Sequence, residues 1–564
     1  MSARRTAADR HWVRRQYTAP RRDRAVLCEP SDAAAAGLIE SNRAVFAESD
    51  AVLCDRPLSR VRQQARCDVL AAAREFTEHV RGVPVAEPDI EGPLIVAGHQ
   101  PELYHPGVWL KNFAASRLAA ATGGTALNLI VDTDLCGDLT LALPGGTADQ
   151  PRTWRLPLDT PARQLPWEDV RVRTPSVLPA AGPAIAEGMQ RWGIEPLAAE
   201  IWPDARQVQT GDCLVSHLTQ LRHNRQQAWD TPLLELPMRT LCRLPSFALF
   251  VCFVLRQIDQ LRPIYNEGLA IYRELNRLRS SAHPMPDLAS VEVDGQTRHE
   301  APMWVWRAGE HHRRPLWIEQ LGCSFRLYDV GEGDHADAEC LGVIRRTDCD
   351  ADAWHRLLCD LDQQGIRVRP RALMTTLFLR LCLADLFAHG IGGAKYDEVT
   401  DYLLRRFIGV QPPRFLTISG TLKLPLPRHA ATPDDRRSLR SRRWDLLHNA
   451  DRHGFGSPEL RQRKQQLIAE QQAASAAAAR GGAADALANL QRFRDFKAIN
   501  LELAAAASEA RGDLAEELAD VNRQLAANRL LGSREFSWVL YPEELLRDWL
   551  FEASEVVVDR LAVA

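Results

Sequence analysis

The stretch from Leu94 to Asp138 constrains this chain more than any other. An apolar run, Leu94-Ile95-Val96-Ala97, breaks into Gly98-His99-Gln100-Pro101. After a helical segment a second run, Leu127-Asn128-Leu129-Ile130-Val131, ends on Asp132-Thr133-Asp134. The pattern predicts strand, loop, helix, strand, with polar groups at both strand ends. In an open parallel sheet, ligands sit in the crevice beyond the strand carboxyl ends, where loops converge and helix N-termini point their N–H groups. A small-molecule site at these two strand ends is the leading expectation.

At 564 residues the chain is too long for one core, and roughly 150 residues per domain suggests about three or four units. We divide it into a helical lead-in with an Arg-rich tail (1–90), the first half of a sheet core (91–245), a helical connecting segment (246–300), the second half with a Gly-rich loop (301–430) and a helical region (431–564). Lys and Arg number 70 against 73 Asp and Glu, a formal charge of -3, so no global field favours nucleic acid or an anionic membrane. The run Arg436-Arg437, Arg440, Arg442-Arg443 reads as a solvated helix face rather than an RNA contact. The best apolar run, Phe247 to Leu255, is about half the roughly 18 to 20 residues of a membrane helix and ends on Arg256. The N-terminal arginines, Arg4, Arg5, Arg10, Arg14, Arg15, Arg21, Arg22 and Arg24, accompany no apolar segment, which argues against a secretory signal and for a cytoplasmic protein. Twelve scattered cysteines without a C-x-x-C fit reduced thiols better than structural zinc.

Helical spacing of Val61, Ala65, Val69 and Ala72 predicts helices between Asp32 and Arg81, whereas Pro151 to Pro179 lacks a period and reads as loops. Ser246 to Ser280 is helical until His283-Pro284-Met285-Pro286 stops it. Met303-Trp304-Val305-Trp306 and Arg313 to Ile318 read as two strands joined by a polar turn. A second sheet-and-helix block runs from Ile366 to Pro370, through the apolar Leu373 to Phe387, into His389-Gly390-Ile391-Gly392-Gly393. After Pro433 the chain turns rich in Ala, Arg, Gln and Glu, and Leu514, Leu518, Val521 and Leu525 recur at steps of four and three, a coiled-coil seam. Two long antiparallel helices joined near Gly481-Gly482 account for this region, with the seam serving intramolecular packing or a homodimer.

Three groups of residues carry chemistry. Gly98-His99-Gln100-Pro101 offers close backbone approach beside an imidazole and an amide, or a turn in which His99 only satisfies backbone groups. His105 and Lys111 follow closely enough to share that site, Lys111 as a point charge for a phosphate or carboxylate, or as a solvated helix lysine. Asp132 and Asp134 suit Mg²⁺ with phosphate oxygens, the orientation of an amine or sugar hydroxyl, or a plain loop. From His389 to Glu398, glycines at 390, 392 and 393 expose backbone N–H groups to an anion, and Lys395, Asp397 and Glu398 add charge; the spacing is neither a P-loop nor a dinucleotide fingerprint. A helix starting near Asp397 is the simpler account of those acids. No G-x-S-x-G, H-E-x-x-H or kinase signature is present.

Taken together, these pieces resemble the cysteine-adding enzyme family of bacillithiol biosynthesis, the cysteine ligase family. The resemblance rests on Gly98-His99-Gln100-Pro101, on Lys111 with Arg117-Leu118-Ala119, on Val131-Asp132-Thr133-Asp134, on Arg369 to Thr376, and on Ile391-Gly392-Gly393 with Glu398. It implies an α/β fold: a Rossmann-like parallel-sheet core with inserted connecting segments and a C-terminal helical coiled-coil region. It also implies a ligase joining cysteine, or a similar small nucleophile, to an aminosugar conjugate. His99, Asp132 and Asp134 are then the catalytic candidates, with Gly98, Gln100, Pro101, His105, Lys111, Gly392, Gly393, Lys395 and Glu398 binding substrate. A nucleotide fits the crevice, although no motif demands one. His99 stands where the family has Gln, and Thr133 where it has His, which marks a divergent relative acting on another amine, thiol or sugar-linked acceptor. The competing readings are a Mg²⁺-dependent glycosyl- or nucleotidyltransferase using Asp132 and Asp134, and a non-catalytic coiled-coil scaffold.

Overall fold

A computed structural model describes residues 12, 17–30, 35–160, 164–280, 285–322, 324–331, 333–345, 351–480 and 485–562. Arg4, Arg5, Arg10, Arg14 and Arg15, and the joint at Gly481-Gly482, lie outside the described residues. The chain divides into two compact units, one from Met1–Leu143, Trp154–Leu424 and Arg534–Ala564, the other from Pro144–Thr153 and Pro425–Ser533.

The first unit is mixed α/β and contains two six-stranded sheets. One runs in the order Ala25–Glu29, Phe415–Thr421, Leu386–His389, Leu94–His99, Thr125–Ile130, Leu234–Pro237. Its last five strands are mutually parallel, and Ala25–Glu29 closes one edge antiparallel to Phe415–Thr421. Leu94, Ile95, Val96 and Ala97 are all fully buried, as a strand covered on both faces requires. The predicted crossover helix spans Pro106–Thr122. His105 caps it, Pro106 opens it, and Gly123 ends it at φ 65° with its N–H on the Ala119 carbonyl. Gly107 lets this helix lie against the neighbouring strand, because a Cβ there would collide with the carbonyl oxygen of Gly420.

The second sheet is antiparallel, in the order Glu339–Arg345, Ser324–Asp329, Arg314–Leu321, Gln296–Arg307, Ile366–Pro370, with Ser290–Val293 also on Gln296–Arg307. The predicted pair of strands around Met303–Trp306 and Arg313–Ile318 is present here. Ile366–Pro370, expected within the second half of the sheet core, joins this sheet instead. Its alternation explains why: Ile366 and Val368 face the apolar core, while Arg367 and Arg369 project to Asp362 and Glu168. One continuous core, including Val96, Leu127, Phe253, Ala301 and Ile318, underlies both sheets.

Pro151–Pro157, expected as loop, is a strand paired with Thr140–Gly146. Most of its side chains are exposed, so it carries no hydrophobic alternation to read. The region after Pro433 departs from two long helices. Four helices build the second unit: Pro433–His448, Pro458–Ala479, Ala486–Ala506 and Ser508–Leu531. Leu514 and Leu518 of the predicted seam are buried against Leu439 and Leu446 of the first of these helices. The last helix, Glu543–Ala562, belongs to the first unit, where the apolar stripe Leu546, Trp549, Leu550 and Val557 is buried. No described helix is long and apolar enough to cross a membrane.

Candidate functional site

At the carboxyl ends of the central parallel strands lies a cavity of about 380 Å³. Gly98, His99, Gln100, His105 and Lys111 line one side, and Gly392 and Gly393 line the other. Two segments nearly three hundred residues apart therefore meet, because Leu386–His389 pairs directly with Leu94–His99, Ala388 opposite Ala97. Pro101, Asp132, Asp134, Lys395 and Glu398 do not line this cavity. Lys395 is exposed, while Pro101 and Glu398 are buried.

Lys111 is 3% exposed, and its Nζ donates to the Gly98 carbonyl oxygen at 2.6 Å. No charged neighbour among the described residues offsets this burial. Burial alone pushes its ammonium down to about 8 from an ordinary 10.5. A buried ammonium with one neutral acceptor is expensive for the fold and receptive to an anion.

The imidazoles around it are neutral near pH 7. Burial, and next the Lys111 charge, lower His99 to about 3. Its Nδ1 lies 3.2 Å from the Gln100 carbonyl oxygen, and its ring stands edge-on to Tyr104. His105 accepts the Gly107 N–H at Nδ1, the helix cap, and presents Nε2 at 2.9 Å to Arg534 Nη2. With donors facing both nitrogens, and with burial as the first cause and Arg534 the second, it also falls to about 3. An unperturbed imidazole titrates near neutral pH, but in these surroundings His99, a catalytic candidate in the sequence, is a neutral hydrogen-bonding group.

The helix that follows His389 begins at Ile391, not near Asp397, so Gly392 and Gly393 sit in its first turn, where backbone N–H groups have no intrahelical acceptor. Its start is set by the chain leaving the strand at Gly390, which adopts extended backbone as the N-cap. His389 donates through Nε2 to Asp397 Oδ2 at 2.8 Å, and Arg380 holds the same oxygen at 2.6 Å. Burial would raise the Asp397 carboxyl, but Arg380 and His389 outweigh it and hold it well below the usual carboxylate range. Burial lowers His389, partly opposed by Asp397. Its Nδ1 is left beside Gly393, where an added Cβ would come within 2.8 Å. Glycine at 393 keeps that nitrogen uncovered.

Sequence reading missed Arg534 and undervalued His389 and Asp397. Arg534 has no local signal, since it reaches Ser419 and His105 only through the fold. His389 and Asp397 are eight residues apart across a strand–helix turn, a spacing with no helical or strand period. No family model matches this chain. No curated protein matches it either.

The two aspartates lie elsewhere. Asp132 is fully buried with Oδ1 on the Arg239 N–H at 2.9 Å and Oδ2 on the Arg239 guanidinium at 2.6 Å. Asp134 is 42% exposed, accepting from Gln100 Nε2 at 3.1 Å and paired with Arg313 at 3.1 Å. Among the described residues no group of three or more His, Cys, Asp or Glu is arranged to hold a metal. Asp132 in particular has both oxygens occupied, so these two carboxylates do not form the open donor pair that the Mg²⁺ reading needs. Asp134 keeps a link to the cavity through Gln100.

Proposed function

We propose that this chain is a small-molecule enzyme on a Rossmann-like core that binds an anionic group of its substrate at Lys111, in the crevice between Gly98–Pro101 and Gly390–Gly393. The observation that carries this reading is the buried Lys111 ammonium lining a cavity with, among the described residues, only a carbonyl as partner. The exposed N–H groups of the following helix and the Arg534 guanidinium make the same cavity favourable to negative charge. Within this reading the reaction is carbon–nitrogen bond formation, joining cysteine or a similar small nucleophile to an aminosugar-conjugate acceptor in the cytoplasm, as the motif resemblance implies. Lys111 and the Gly392–Gly393 amides hold carboxylate oxygens. His389, oriented by Asp397, takes the proton of the attacking amine as the C–N bond forms and the acyl C–O bond breaks, the oxygen leaving on a phosphoryl or nucleotidyl group that a nucleotide co-substrate has placed on the carboxylate; a neutral His99 at about 3 is too weak a base for this. His99 and Gln100 orient the substrate, and Asp134 steadies Gln100.

A thermal-shift screen of amino acids, aminosugar conjugates and nucleotides on the wild type and Lys111→Met tests this. At least one anionic member should raise the Tm of the wild type at pH 7 and leave the variant unmoved. Equal shifts in both proteins, or none in either, remove the basis for the reading.

The homodimer reading is favoured by a separate observation on the second unit. Leu487, Leu490, Phe493 and Leu501 lie on one face of Ala486–Ala506 and are between 46% and 80% exposed. Such a stripe suits the same face of a second copy of this helix. Sedimentation of the wild type and Phe493→Glu reads it out, with a dimer expected only for the former.

A further inference from the structure

The hairpin of Val52–Leu53 and Arg56–Pro57 turns on Cys54 and Asp55, both at positive φ, 48° and 62°. Two left-handed central residues make the turn that Asn-Gly normally builds. Here the strained turn fixes Cys54 against the helix Pro245–Arg256. The Cys54 sulfur lies 3.4 Å from that of Cys252, fully buried on this helix, and 3.8 Å from the Leu249 carbonyl oxygen. Cys54 is half-buried and lines a cavity of about 250 Å³ with Asp55, Arg256 and Gln257, separate from the strand-end site. The hydrogen bond to Cys252 lowers the Cys54 thiol most, and Arg256 adds to this against the opposing effect of burial. Burial has the opposite effect on two other thiols: Cys136 and Cys382 are pushed up to about 12. Reactive cysteines sit in partly exposed, electropositive surroundings, and inert ones in apolar surroundings.

We propose that Cys54 and Cys252 form an oxidisable dithiol, a modification site at which a peroxide-class oxidant closes a disulfide between the hairpin and the helix. The Cys54 thiolate attacks a peroxide oxygen; the S–O bond forms, the O–O bond breaks, and the leaving hydroxide takes a proton to become water. The Cys252 sulfur then attacks the Cys54 sulfenic sulfur; the S–S bond forms, the S–O bond breaks, and the second hydroxide leaves as water with the Cys252 thiol proton. The two thiols lose two electrons and the peroxide gains them. The cross-link joins residues 198 positions apart, so it restrains a large loop of the chain.

The test treats the full chain with hydrogen peroxide, blocks remaining thiols with iodoacetamide, and maps peptides by mass spectrometry without reduction. A Cys54–Cys252 linked pair is expected, two hydrogens lighter than the sum of its peptides, lost on adding dithiothreitol and absent from Cys54→Ser. In Cys252→Ala the first step should stop at sulfenic acid, trapped on Cys54 by dimedone. Recovery of Cys54 alkylated, linked to a different cysteine, or oxidised beyond sulfenic acid in the wild type overturns the proposal. So does a Cys252→Ala protein that yields no dimedone adduct.

Discussion

Two ends of the same parallel sheet face the same crevice side with opposite electrostatic outcomes. Beyond Thr125–Ile130, the charges are matched: Asp132 by Arg239, and Asp134 by Arg313. Beyond Leu94–His99 and Leu386–His389, Lys111 has, among the described residues, only the Gly98 carbonyl, and the imidazoles of His99 and His105 are held neutral. Both ends look equally polar as sequence. The difference lies in neutralisation, and it separates a strand end whose charges are paired within the fold from one that can receive a ligand.

The largest effect should come from breaking the matched end. Arg239→Ala strands a fully buried Asp132 carboxylate, and loss of one partner of such a pair costs about 3–5 kcal/mol. Urea unfolding of this variant should show that loss, and an unchanged midpoint would erase the contrast.

At the unmatched end the sign reverses. Lowering Lys111 from 10.5 to about 8 corresponds to a cost on the order of 3 kcal/mol at neutral pH. Lys111→Met should therefore raise stability by roughly 1–3 kcal/mol while abolishing ligand-induced stabilisation. Between pH 8 and 10.5 the unfolded chain holds this proton more tightly than the folded one. Wild-type stability accordingly gains on the variant as pH rises through that window, and their difference in unfolding free energy should shrink. A variant less stable than wild type at pH 7 would place Lys111 among the structural charges.

Gly393→Ala sharpens the same end. Its methyl would crowd His389 Nδ1 at 2.8 Å, so the helix turn or the ring must shift. We expect about 1 kcal/mol of destabilisation and a larger fall in turnover than in ligand affinity. The smallest effect belongs to Asp134→Ala. A pair that is 42% exposed on the carboxylate side should cost less than about 1 kcal/mol in chemical denaturation. Substrate affinity is the finer readout there, because Gln100 loses its acceptor.

Much of the local architecture was legible before the structure. Leu94–His99, Thr125–Ile130 and the helix between them follow from apolar runs and a glycine break, whereas the ends of that helix, at His105-Pro106 and Gly123, came only from the structure. The site was less legible. Gly392 and Gly393 read as a loop, since three glycines weaken any helical signal, yet tertiary packing starts the helix at Ile391. Ile366–Pro370 read as a member of the parallel sheet, although its Arg residues at alternate positions already departed from the continuous apolar run of a strand covered on both faces. The seam at Leu514 and Leu518 was visible, but not that Leu439 and Leu446 cover it within the same unit.

The sequence by itself determined where strands stop and polar groups begin, because apolar runs, glycine breaks and helix caps act over a few neighbouring residues. Only the tertiary structure decided which of those polar groups are neutralised. Arg239 comes to Asp132 from 107 positions away, Arg313 to the Thr133 carbonyl from 180, and Arg534 to His105 from 429. Coulomb energy and desolvation depend on distance in space and not along the chain. The availability of Lys111 is therefore a property of the assembled fold.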